Sequence, residues 1–153
     1  MEAKRVLLPV KGDDSDEESL RLACNLVRES KGKIYILYVI EVARQFPLDA
    51  DVSSETVKGE EVLQRMEKLG KKYQVEVDAE ILQAREAGPA VVQEAVEREV
   101  ETIVVGVPYK RRYGAFSLGR TVPFILRNSP CPVLLWRGES TRNGVHPLPS
   151  KSE

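Results

Sequence analysis

Short runs of unbroken apolar character constrain this chain more than any other feature: RVLLPV at 5–10, KIYILYVI at 33–40 and TIVVGV at 102–107. A strand can be apolar at every position only if both of its faces are covered, which happens in a parallel sheet between layers of helices. The segments between the runs are helical in period. Leu20, Ala23, Cys24 and Val27 recur at i, i+3, i+4 and i+7 after Ser15 and Glu18, a pair that matches a capping box, and Gly32 stops that helix. Residues 41–51, with Pro47 and scattered acids, read as a loop.

A second helix is expected over 54–73, with Val57, Val62, Met66 and Leu69 as its stripe and Gly59 as a weak point. YQVEVDAEIL at 73–82 alternates apolar and polar residues, as a half-exposed edge strand does. Gly88 and Pro89 open a third helix that buries Val91, Val92, Ala95, Val96 and Val100. A short helix over 119–128 leads to CPVLLW at 131–136, the fifth strand. The alternation of strand and helix predicts one α/β domain over 1–138, with a polar, flexible tail over 139–153.

Composition removes several functions. With 42% hydrophobic and 31% charged residues the chain can build a core and a charged surface. A net charge of −1 gives no basic field for nucleic acid or an acidic membrane, so neither is expected as a partner. No apolar run is long enough to span a bilayer, no secretory signal precedes the first strand, and two cysteines do not make a disulfide framework. The expected location is the cytoplasm. The one histidine, His146, lies in the tail, which leaves histidine-based catalysis without a donor. The acids Asp13, Asp14, Asp16, Glu17 and Glu18 read as complements to a helix dipole, not as a metal site. Cys24 and Cys131 read as small packed residues.

In a doubly covered parallel sheet, ligands sit beyond the carboxyl ends of the strands. Three segments reach that rim: PVKGDD after the first strand, YVIEV after the second, and GVPYKRRYGAFSLGR at 106–120 after the fourth. The last has glycines at both ends and carries Lys110, Arg111, Arg112 and Arg120.

With these segments in order, the chain resembles the universal stress protein family over residues 4–137. RVLLPVKGDDSDEESLRLA is similar to the family's first strand, turn and helix, AREAGPAVVQEAVEREVETIVVGV to its third helix and fourth strand, and RNSPCPVLLWR to its closing segment. The resemblance implies a three-layer α/β/α domain, its five parallel strands in the order 3-2-1-4-5, and homodimers paired through the last strand, here 132–136. It also implies a nucleotide cleft at Pro9, Val10, Lys11, Val39, Val105, Gly106, Tyr109, Gly119, Arg120 and Thr121.

Many members bind ATP through the pattern G-x2-G-x9-G-[ST]. Gly106 and Gly119 match it, whereas Tyr109 stands for the second glycine and Arg120 for the hydroxyl residue. Lys11 takes the place of a family acid that meets the adenine, and an ammonium only donates hydrogen bonds. Tyr109 puts a ring where ribose or phosphate would lie, and Arg120 has no small hydroxyl. Together these changes point to a non-catalytic regulatory protein with weak or no ATP binding and no required cofactor. The alternative is an adenine-nucleotide sensor or slow ATPase that meets phosphate with Lys110, Arg111, Arg112 and Arg120 in a changed pose. Tyr109 and Tyr113 stack either over the vacated cleft or on a ligand ring. A hydrolase or transferase lacks both a G-x-S-x-G elbow and a histidine base. An unidentified protein partner is a further expectation of a regulatory role.

Overall fold

The computed structural model describes residues 2–109, 111–112 and 115–138. In chain order the elements are β1 (Arg5–Val10), α1 (Asp16–Val27), β2 (Lys33–Glu41), α2 (Ser53–Lys72), β3 (Glu76–Ala84), α3 (Ala87–Glu97), β4 (Thr102–Val107), β5 (Arg111–Arg112), β6 (Ala115–Phe116), α4 (Thr121–Asn128) and β7 (Val133–Arg137). β5 and β6 form a small antiparallel ribbon. The other strands make one parallel sheet in the order β3-β2-β1-β4-β7, which is 3-2-1-4-5 once the ribbon is set aside.

The sheet explains the apolar runs. Val6, Leu8 and Val10 of β1 join the core under α1 and α2, while Leu7 joins a second core that includes Val91 and Ala95 of α3 and Val122 and Ile125 of α4. β2 divides in the same way, with Ile34, Ile36, Tyr38 and Ile40 on the first side and Leu37 on the second. Among the described strands β3 pairs with β2 alone. Its Val77, Ala79 and Ile81 pack on the first core, and Glu76, Asp78 and Glu80 face solvent, which produces the alternation seen in the sequence.

Several local expectations change. The capping box does not form: Ser15 makes no side-chain cap bond, and its hydroxyl instead donates to Asp13 Oδ1 at 2.5 Å. Val57 and Val96, both assigned to buried stripes, are more than half exposed, because α2 and α3 each press a narrower face on the sheet. α4 starts at Thr121, since Gly119 holds a φ of +74° and cannot continue a helix backwards. Cys131 is half-buried before β7, with its backbone N–H on Ser129 Oγ.

The irregular segment after β2 is held by β3-side residues. Arg85 Nη1 donates to the carbonyl oxygens of Ala43 and Phe46, both at 2.7 Å, and Gln83 Nε2 to that of Leu48 at 2.6 Å. Among the described residues no helix is long and apolar enough to cross a membrane. The tail at 139–153, with His146, and the residues Lys110 and Tyr113 lie outside the described part of the chain.

Candidate functional site

The strand order reverses beside β1, whose neighbours are β2 and β4. The chain leaves β1 toward α1 on one face, while α3 and α4 cover the other, so a crevice opens between them at the carboxyl ends. A cleft of about 320 Å³ lies there. Pro9, Val10, Lys11, Val39, Val105, Gly106 and Thr121 line it, and its floor is apolar through Leu37, Ile40, Val91 and Ile125.

The remaining expected site residues lie elsewhere. Gly119 and Arg120 line a second groove of about 330 Å³, which also includes Thr121, Gly88, Pro89 and Arg127. Tyr109 lines neither hollow; the Arg137 guanidinium stands over its ring at 4.6 Å from the centroid. The second motif position is therefore engaged with the end of β7.

The two glycines that match the motif, Gly106 and Gly119, serve different ends. A Cβ at Gly106 would run into Ser19 Oγ and come within 3.1 Å of Ser15 Cβ, so this residue is a glycine because α1 lies against β4. At Gly119 a Cβ would meet nothing within 4 Å, and the positive φ alone favours glycine. The Gly119 N–H donates to Ser117 Oγ at 3.1 Å, and Arg120, at the N-cap of α4, makes no side-chain cap bond.

Acidic groups that sequence reading did not single out border the cleft. Glu41, at the end of β2, lines both hollows, and its Oε2 accepts the Ala87 N–H at 2.8 Å, capping α3 from a distance. Glu55 enters from α2. The YVIEV rim segment contained Glu41, but nothing in the sequence tied it to a residue 46 positions further on. The cleft thus presents one cation, Lys11, against two carboxylates among its described lining residues, and Lys11 Nζ itself lies 4.0 Å from Asp13 Oδ2.

Asp16 lies behind this wall and is only 3% exposed. Its Oδ2 accepts the Gly12 N–H at 2.8 Å, its Oδ1 the Lys11 N–H at 3.3 Å, and Arg65 Nη2 of α2 stands 3.8 Å away. Burial pushes its carboxyl up from 3.8 to about 6, against the pull of the Gly12 N–H and with help from Asp13. The folded state therefore holds a proton that the unfolded state has already released. That advantage is complete below the unfolded value and is lost as pH rises through about 6. Relative to Asp16→Asn, the wild type should gain about 2 kcal/mol between pH 7.5 and pH 4. Urea unfolding of both proteins across that range measures it, and a constant difference would show that Asp16 does not titrate there.

A doubly covered parallel sheet with a cleft at its switch point defines a Rossmann-like α/β domain. The model of the universal stress protein family matches residues 2–137, and the chain belongs to that family. It is 27% identical over 138 residues to the universal stress protein MJ0531 of Methanocaldococcus jannaschii, covering 86% of this chain and 81% of that protein. A universal stress protein of Archaeoglobus fulgidus has the same fold with a TM-score of 0.73 at 19% identity, covering 86% of this chain and 96% of its own. A universal stress protein of the same organism in complex with dAMP gives a TM-score of 0.70 at 18% identity, covering 88% and 98%.

Proposed function

We propose that this chain is a non-catalytic regulatory protein of the cytoplasm, self-associating through β7, whose cleft binds ATP weakly or not at all. The charge of the cleft carries this reading. Glu41 and Glu55 border a hollow with Lys11 as its one described cation, which opposes a polyphosphate. Of the two replaced motif positions, Tyr109 lies under the Arg137 guanidinium and lines neither hollow, and Arg120 lacks the small hydroxyl of the motif.

A second reading rests on the adjoining groove. Arg120 and Arg127 meet the start of α3 and α4 there, and the fold relative from Archaeoglobus fulgidus is complexed with dAMP. On this reading an adenine nucleotide lies with its base in the cleft and its phosphate toward Arg120.

Thermal melts with millimolar Mg-ATP and with AMP separate the two. A ligand at one hundred times its dissociation constant adds about 2.7 kcal/mol, a plain shift for a domain of this size. No shift with either nucleotide is expected on the first reading, and a shift with ATP overturns it. Tyr109→Gly with Arg120→Ser restores the motif and should create an ATP-dependent shift if the frame around Gly106 and Gly119 is intact.

A further inference from the structure

The turn from β1 to α1 is built by two carboxylates with separate tasks. Asp13 Oδ1 takes the N–H and the hydroxyl of Ser15, at 2.9 and 2.5 Å, and so orders the start of α1. Asp16, the first residue of α1, reaches backwards instead and takes the N–H groups of Lys11 and Gly12 on its two oxygens. Gly12 holds a φ of +87°, a conformation that few other residues would keep without such an anchor. Lys11, a residue of the cleft wall, is thereby tied at its backbone to a buried acid, while its Nζ lies 4.0 Å from Asp13 Oδ2.

We propose that Asp16 is a proton-sensitive positioning residue: its ionised carboxylate fixes the backbone of Lys11 and Gly12, and so the place of Lys11 in the cleft wall. Proton uptake turns one of its acceptor oxygens into a hydroxyl, weakens both backbone bonds and removes the attraction for Arg65. The charged and titratable groups around Asp16 come from its own turn, α2 and β2. On its own turn these are Lys11 and Asp13. From α2 come Arg65 and Lys58, whose Cε lies beside Gly12. From β2 comes Tyr38, whose hydroxyl feels the charge of both Asp16 and Glu55. Gly106 of β4 lies against Ser15 and Ser19 and carries no ionisable group.

The test needs no ligand and stands apart from any failure of the nucleotide reading. Amide and Lys11 side-chain NMR signals are followed from pH 4.5 to 8 in a His146→Ala background, which removes the one imidazole. The Lys11 and Gly12 amides and the Lys11 Cε signal should shift together with a midpoint near the Asp16 value of about 6. Asp16→Asn should flatten all three curves. Arg65→Gln, which takes away a nearby cation, should move the midpoint upward, an effect that a merely structural aspartate would not give. If Asp16→Asn does not fold, the wild type and Arg65→Gln still decide. Amides that stay fixed, or that titrate with the exposed carboxylates near pH 4, overturn the proposal. A Lys11 side-chain signal that stays fixed while the amides move overturns its link to the cleft.

Discussion

Gly106→Val should lower the melting midpoint of this chain by up to about 10 °C. The site has no room: even the Cβ of alanine would collide with Ser19 Oγ, and Ser15 Cβ and Oγ both lie 3.1 Å from it. Ser19 cannot swing aside cheaply, because it is 1% exposed and its hydroxyl donates to the Ser15 carbonyl at 2.8 Å. Overpacking of a closed site costs about 1–3 kcal/mol or more, and each kcal/mol is roughly 2–4 °C in a domain of this length. Gly119→Ala, in open space but at positive φ, should cost only about 1–2 kcal/mol. The cause can be isolated with a double-mutant cycle. Gly106→Ala should be partly rescued by Ser19→Ala, since that change removes the colliding oxygen. Circular dichroism melts of the four proteins check it, and a Gly106→Ala protein as stable as wild type would contradict the packing argument. The consequence for function is direct. A loss of ligand binding in a Gly106 variant reports a displaced α1 as readily as a lost phosphate contact, so Gly119 is the better probe of the loop.

The strands were legible because burial on both faces leaves a simple signature, and β3 differed from β1 for the opposite reason. Helix boundaries were close, but helix faces were not fully readable. Valine at 57 and 96 fits an apolar stripe by spacing, yet each lies just outside the contact face that the sheet accepts. The capping box misled because it needs Ser15 Oγ to accept a backbone N–H of α1, whereas in the fold Ser15 makes no side-chain cap bond and its hydroxyl donates to Asp13 Oδ1. At the site, Pro9, Lys11, Val39, Gly106 and Thr121, which the family resemblance groups, line one cleft. The acids that set its charge were not legible in the same way. Glu41 acts on the start of α3, and Asp16 is one of five acids that the sequence offers alike as complements to a helix dipole. Burial separates Asp16 from Glu17 and Glu18, which are exposed and pair with Arg21. A run of similar residues does not say which member turns inward.

β7 carries the other large expected effect. It pairs with β4 on one side and ends the sheet, and among the described residues no further strand lies along its far side. Leu135 on this strand is 40% exposed, and Val133, Leu134 and Trp136 are half-buried. An apolar edge of this kind is a hazard for uncontrolled association unless a defined partner covers it. A second copy laid antiparallel along β7 would satisfy both edges at once, through a two-fold contact in which each chain offers the same residues. Trp136 is the weaker probe of that contact, because its ring already packs beside Gly138 of its own chain. Leu135 is the sharper one, as its side chain is the more exposed of the two. The wild type should therefore sediment as a dimer at low micromolar concentration. Leu135→Glu should sediment as a monomer with an unchanged far-ultraviolet spectrum, since a buried pair of like charges across a two-fold axis is strongly unfavourable. Trp136→Glu should do the same with some loss of stability. A monomeric wild type under these conditions, or a Leu135→Glu protein that remains dimeric, would place any self-association on another surface.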